Sequence, residues 1–436
     1  MKVPARPLEI DFEQFLKELP IDYHEMAYEF HAFTRSRKIK TPAQLLQVVM
    51  LYCGTDKVLR ETAGVFTLLE ERVTDTAIHK RLKACAPWVK ALLKRMLPCE
   101  QPYPEALRIL VVEGSSLQGP GAKGTDFRLH LALDLVSLTL HEIQVTGFEQ
   151  GEKLSRFRFA KGDVVIADRG YNHPAEILEL AAQGVSTVVR LLPTAMPLYH
   201  RQAEQELTAI KTAERLDLAS YLQRVASDCV SLPVWLCTKN LVGKGSVHAL
   251  RLPADAAETA RRRCRQQAQR KGRTPSPDTL YLAGWVMVFS TVSSALLDGA
   301  TLLKLYRTRW QIELVFKRLK SILNLDQLRA KQGSLLGDLW INGKLLYALV
   351  IENYLHKHYG SDWHRLDQNR PASSWRFLKI TRSWIDTWIL ETHRWRMENQ
   401  FACFEVVKER SRQRKLQTLP MEVIQLMAKV TELGGA

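Results

Sequence analysis

No run of apolar residues in this sequence is long enough to span a bilayer. The longest, LLYALVI from Leu345 to Ile351, falls far short of the ~20 residues that a membrane helix needs. The opening stretch MKVPARPLEIDFEQF has no apolar core of the kind that a secretory signal carries, so a cytoplasmic chain is expected. The seven cysteines, at 53, 85, 99, 229, 237, 264 and 403, make no Cys-x-x-Cys pair and no Cys/His zinc spacing. A reduced, zinc-free protein follows. Internal repeats and extended low-complexity segments are also missing. Acidic residues are in deficit, 46 against 62 lysines and arginines, for a net charge of +16. That balance favours a polyanionic partner, most simply nucleic acid. A basic membrane-surface protein shares the charge, but no long apolar run supports one.

With 436 residues, 46% of them hydrophobic, the chain can build two or three domains around a sizeable core. Residues 1–105 read as helical. Thr41-Pro42 is a helix-start signal, and a short helix, a turn near Gly64 and a helix opening at Thr74 have helix-turn-helix spacing. The second of these would expose His79, Lys80, Arg81 and Lys83, and a plain helical bundle fits the same pattern. From Arg108 the pattern turns to strands: RILVV ending at Glu113, then FRLHLALDLVS and TLHEIQVTGF, an antiparallel meander. GDVVIADRGY (162–171) is a buried-type strand with Asp168 at its carboxyl end, followed by a helix and the strand VSTVVRLL. Residues of about 193–280 interrupt this core with two strand-like segments and a basic helix. Along that helix and its end, the thirteen residues 261–273 carry Arg261, Arg262, Arg263, Arg265, Arg270, Lys271 and Arg273 without one acid, a density suited to phosphate contact. LAGWVMVFSTV returns as a core strand. Beyond Leu328 the chain is helical again, with a basic tail, VVKERSRQRKLQTLP.

Leu302–Leu323, LLKLYRTRWQIELVFKRLKSIL, reads as one long helix opened by Asp298-Gly299. Leu305, Ile312, Phe316, Leu319 and Leu323 form a core-facing stripe. Tyr306, Arg309, Glu313 and Lys320 fall within about 60° of one another on an adjacent face. A carboxylate flanked by cations suits a metal–phosphate site. A solvated charged face beside a core stripe has the same pattern.

The spacing Tyr306-x2-Arg309-x3-Glu313-x6-Lys320 resembles the Tyr-Arg-Glu-Lys signature of bacterial insertion-sequence transposases of the IS-four group, which are DDE enzymes. VVEGSSL and VIADRGY match that family's other acidic motifs in context. The resemblance implies an α/β fold with an RNase H-like catalytic core and a β-strand-rich insertion, flanked by helical N- and C-terminal regions. It divides the chain into a DNA-binding domain at 1–105, a catalytic domain at 106–355 with the insertion at about 193–280, and a C-terminal region at 356–436. By resemblance, Glu113, Asp168 and Glu313 hold two Mg²⁺ or Mn²⁺ ions, while Tyr306, Arg309 and Lys320 contact DNA phosphates. Trp285 occupies a position where a related transposase stacks an aromatic on a flipped base, and it is equally a core aromatic. Arg169 and Tyr171 steer phosphate or close the turn after Asp168. The implied activity is cleavage at transposon ends and strand transfer to target DNA, by a homodimer paired on double-stranded DNA.

One residue departs from the pattern: the family's first acid is Asp, and here it is Glu113. The extra methylene moves the carboxylate by roughly 1.5 Å, against a catalytic tolerance of about 0.5 Å. Two alternatives stay open: a working ligand in another rotamer, or an impaired copy that binds DNA and inhibits transposition. Asp134 on the neighbouring strand is a partial substitute or a structural residue. A host nuclease with the same core is a third reading.

Overall fold

A computed structural model describes residues 11–97, 108–119, 121–201, 214–330, 333–360 and 374–407. The basic tail from residue 408 onward lies outside them. The chain forms two compact units, one from residues 1–17, 21–88 and 383–436, the other from 18–20 and 89–382.

The first unit is helical in its described residues. Its elements are α1 (Phe12–Leu16), α2 (Tyr23–Glu29), α3 (Pro42–Cys53), α4 (Leu59–Leu69), the first part of α5 (Asp75–Met96), the last part of a helix at Ser374–Leu390 and another at Gln400–Val407. Thr41 caps α3 as expected, its hydroxyl accepting from the Gln44 amide at 3.1 Å with Pro42 at the first position. Thr74 does the same for α5, accepting from the Ala77 amide. The turn between α4 and α5 lies at 70–74 and not near Gly64. Gly64 sits inside α4, where a Cβ would come 2.9 Å from Cγ1 of Val407, so its smallness serves helix packing. Lys80 and Lys83 are exposed on α5, while His79 and Arg81 are half-buried. Glu391, 1% exposed, ties this unit together. It accepts from the Phe12 amide, Gln47 Nε2 and Arg394 Nη1 at 2.7–3.0 Å.

The second unit is built on one mixed sheet. In chain order its strands are β1 (Ile109–Leu117), β2 (Phe127–Asp134), β3 (Leu140–Gly147), β4 (Val164–Ala167), β5 (Ser186–Arg190), β6 (Leu198–His200), β7 (Cys229–Cys237), β8 (Val242–Arg251) and β9 (Trp285–Ser290). Their order across the sheet is β3-β2-β1-β4-β5-β9-β8-β7-β6. β1–β3 are the antiparallel meander the alternation predicts, and β4 and β5 add in parallel to β1. β9 returns antiparallel to β5. The interrupting segment extends the same sheet through β6–β8, with β8 on β9. Buried Val, Leu and Ile from β4, β5, β7 and β8 pack with α6 (Pro174–Ala182) into one core.

The parallel register of β1 and β4 is fixed one residue before the strands begin. Arg108 forks onto the Asp163 carboxylate with bonds of 2.8 and 2.6 Å, in a site where both are largely buried. Ile109 then pairs with Val164, and Val112 with Ala167. A slip of one residue would turn every later side chain to the other face.

The remaining helices are α7 (Leu218–Arg224), α8 (Ala254–Arg270), α9 (Pro277–Leu282), α10 (Gly299–Arg307), α11 (Trp310–Ser321), α12 (Leu335–Tyr359), α13 (Ser374–Leu390) and α14 (Gln400–Val407). No helix among the described residues is long and apolar enough to cross a membrane.

Candidate active site

Register brings the first two acids together. Val112 on β1 is level with Ala167 on β4. Glu113 and Asp168 therefore come next on strands about 4.8 Å apart. β4 stops at Ala167, but β1 runs on to Leu117. Glu113 thus lies within its strand, at the edge where β4 leaves off, and not at the strand's end as the apolar run implied.

The third acid arrives on a helix that is broken in two. Asp298 caps α10 through a 2.7 Å bond from the Thr301 amide. The continuous helix expected from Leu302 to Leu323 is interrupted at Thr308-Arg309. There the Thr308 hydroxyl donates to the Leu305 carbonyl, and the amides of Arg309, Gln311 and Ile312 reach carbonyls three residues back. This tightened turn sets Arg309 at the head of α11. Of the core stripe, Ile312, Phe316, Leu319 and Leu323 are buried, and Leu305, before the break, is half-buried.

The adjacent face meets the sheet residue by residue. The Tyr306 hydroxyl donates to Asp168 Oδ1 at 3.0 Å. Arg309 donates from Nη1 to Glu113 and from Nη2 to Glu313, bridging the first and third acids. Lys320 Nζ donates to Ser115 Oγ at 2.8 Å and to the Ser116 carbonyl at 3.0 Å. Arg309 and Glu113 are 14% and 17% exposed, whereas Glu313 is more than half open. Burial pushes the Glu113 carboxyl up to about 7, against the pull of Arg309, and the charges of Asp168, Glu152 and Glu313 push the same way. Burial and Asp168 likewise raise the Tyr306 hydroxyl, keeping it a proton donor.

Six of the residues singled out from sequence therefore lie together: Glu113, Asp168, Tyr306, Arg309, Glu313 and Lys320. Arg169 is exposed in the turn just after Asp168, and its electrostatic neighbours include Arg190 and Cys264 of the basic helix α8. On α8, Arg265 and Arg261 pair with Glu258, and Arg262, Arg263 and Arg270 are exposed. Trp285 is placed differently. It opens β9, 3% exposed, with the Arg251 guanidinium 4.6 Å from its ring centre and Tyr281 against it. A ring so enclosed offers no face to a base. Tyr171 is buried beneath the turn that Asn172 ties to β5 through the Arg190 carbonyl and the Leu192 amide. Asp134 accepts from the Val136 and Ser137 amides, closing the β2–β3 turn, and is structural.

One carboxylate was missed. Glu152, between β3 and β4, stands beside Glu113 and Asp168, and its charge helps to raise the carboxyl of Glu113. No motif marks it. The donors here are all carboxylate oxygens, the hard ligands that suit Mg²⁺ or Mn²⁺. Among the described residues no three acidic, His or Cys groups are close enough to hold an ion as they stand. Arg309 occupies the gap between Glu113 and Glu313. The donor chemistry fits a divalent cation, provided that Arg309 gives up its two partners.

Comparison with known proteins agrees with the motifs. The family model described as "Transposase DDE domain" matches residues 105–349, more than half of the chain. "Transposase for insertion sequence element IS421" from Escherichia coli is 30% identical over 338 residues, covering 74% of this chain and 88% of its own. "Putative transposase InsL for insertion sequence element IS186A" from Escherichia coli (strain K12) is 29% identical over 337 residues, with the same coverage.

Proposed function

The chain belongs to the DDE-domain transposases of insertion sequences, and on that premise we propose that it cuts DNA at the ends of its element and joins the freed 3′-hydroxyls to target DNA. The observation that carries the reading is the Arg309 bridge. One guanidinium on α11 reaches both Glu113 on β1 and Glu313, while Tyr306 on α10 reaches Asp168. Three acids from distant parts of the chain thus share one hydrogen-bonded face. The strand order β3-β2-β1-β4-β5, with three antiparallel strands and two added in parallel, supports an RNase H-like core. β6–β8 are then its β-strand-rich insertion.

In this reading Glu113, Asp168 and Glu313 would hold two Mg²⁺ or Mn²⁺ ions. Such ions, when bound, lower the pKa of the attacking water or hydroxyl and stabilise the leaving oxygen. The chain's own groups do the rest. Arg309 pairs with Glu113 and Glu313 in the absence of DNA, and a phosphate is the natural replacement for those partners, since a guanidinium fork fits either. Lys320 buttresses β1 through Ser115 and Ser116 and carries a point charge to the strand edge. Tyr306 orients the Asp168 carboxylate. Arg169 and the exposed arginines of α8 supply phosphate contacts along the approach to Asp168. Trp285 has no part in this proposal. A homodimer on double-stranded DNA follows from the need to pair two ends.

Glu113 supports a second reading, an impaired copy that occupies ends without cutting. The first reading is tested by Glu313→Gln, which removes one charge with little change of shape. Strand cleavage should vanish while binding to end DNA stays near normal. Equal loss of both would remove Glu313 from the chemistry.

A further inference from the structure

We infer that Glu152 is a fourth metal-binding carboxylate of this site, taking a divalent cation together with Glu113 and Asp168. The inference rests on the metal-dependent reading above. Its starting point is placement. The Glu152 carboxylate lies against the residues just past Glu113 and Asp168. A Cβ at Gly114, the residue after Glu113, would stand 3.0 Å from Glu152 Oε1, and one at Gly170, two residues after Asp168, would overlap Oε2. Only the missing side chains at 114 and 170 let the carboxylate reach that position.

The segment that presents Glu152 is held on both flanks. The Leu154 amide and the Ser155 hydroxyl donate to the Glu176 carboxylate on α6, at 2.8 and 2.9 Å. His173 Nε2 bonds the carbonyl of Glu152 itself at 3.0 Å. Arg156 Nε donates back to the Gly151 carbonyl at 2.8 Å, and Leu154 is fully buried. With its backbone fixed so thoroughly, the Glu152 carboxylate itself has no hydrogen bond or ion pair among the described residues. Arg128 and His173 attract it from a distance, but burial and Asp168 prevail and hold its carboxyl above the usual range, an imbalance that a bound cation would relieve.

A second observation points the same way. His130 on β2 is level with Gly114 on β1. It is 0% exposed, and its Nε2 is engaged by Thr146 Oγ1. Its Nδ1 has no partner, and it lies 3.4 Å from the point above Gly114 that Glu152 Oε1 also faces. The hydroxyl of Tyr171, equally buried, is unpartnered as well and sits in the field of Glu152 and Glu113. Buried polar atoms are almost always satisfied. An ordered polar ligand in the space beside Glu152 would give His130 Nδ1 a partner. Cation affinity follows the number of charged oxygens offered, and Glu152 would add its own to those of Glu113 and Asp168.

The test is Mn²⁺ binding to the full-length protein without DNA, read from the electron paramagnetic resonance signal of free Mn²⁺, with melting curves as a check of folding. Glu152→Gln and Asp168→Asn should each weaken binding by about tenfold or more, on the scale that lost metal-site groups produce. Gly170→Ala keeps every carboxylate but displaces that of Glu152, and should weaken binding likewise. Wild-type affinity in Glu152→Gln and Gly170→Ala, with loss in Asp168→Asn, overturns the role of Glu152 and leaves the three-acid reading standing. Unchanged affinity in all three overturns both.

Discussion

Replacing Glu113 by Gln should make the protein more stable at pH 8, although it removes an ion pair. Glu113 is raised from its usual 4.5 to about 7, first by burial and then by Asp168, Glu152 and Glu313, which together outweigh Arg309. A carboxyl raised on folding favours the folded state fully below pH 4.5 and loses that contribution as pH rises through 7. The rise corresponds to about 3 kcal/mol, an upper figure because rearrangement relieves part of it. Gln keeps the shape and never ionises. Its advantage should therefore be near zero below pH 4.5, grow between about 4.5 and 7, and level off above. At about 2 °C per kcal/mol for a unit of this size, melting at pH 8 should rise by a few degrees. Added Mg²⁺ should reverse the order, because the cation offsets the repulsion only where the carboxylates remain. Thermal melts of both proteins at pH 4.5, 6 and 8, with and without Mg²⁺, decide the matter. A Gln variant less stable than the wild type at pH 8 without metal would refute the reasoning, since Arg309 would then dominate the site.

Three further outcomes follow from the geometry. Tyr306→Phe removes one hydrogen bond to a charged acceptor, about 1.5–3 kcal/mol; cleavage should fall about tenfold or more in a gel assay while DNA binding holds. Glu391→Ala leaves Arg394, Gln47 and the Phe12 amide facing an empty site, and should destabilise the helical unit by about 3 kcal/mol, seen as a lower denaturant midpoint. Replacing Arg262, Arg263 and Arg270 together by Gln should weaken DNA binding with little sequence dependence. If each touches a phosphate, the slope of log affinity against log salt should shrink by about 2–3.

Local chemistry made much of this molecule legible from its sequence. The helix starts at Thr41, Thr74 and Asp298 are caps whose side chains bond the expected amides, so composition alone marked them. The β1–β3 meander and the return of β9 followed from alternation and apolar runs. The face of Tyr306, Arg309, Glu313 and Lys320 survived because Thr308 and Arg309 keep right-handed helical backbone angles through the break. The break itself was not visible. It depends on a Thr308 hydroxyl reaching the Leu305 carbonyl and on Arg309 being drawn to acids far away in sequence. Gly64 read as a turn residue because its partner in packing, Val407, is remote. Glu152 was missed for the same reason. Its significance lies in Gly114, Gly170 and His130, which approach it only after the strands have paired. Trp285 read equally as a stacking or a core residue, and only the packing of Arg251 and Tyr281 around it distinguishes the two.

The central claim is that Glu113, Asp168 and Glu313 form one working site. Its most direct measurement is cleavage of labelled DNA bearing the element's own ends, with Mg²⁺ or Mn²⁺, by the wild-type protein, Glu113→Asp and Glu313→Gln. The account predicts cuts at the ends by the wild type and none by Glu313→Gln. Cleavage by Glu113→Asp alone would leave the fold and site in place but make this copy a DNA binder. Binding without cleavage by all three would contradict the three-acid assignment.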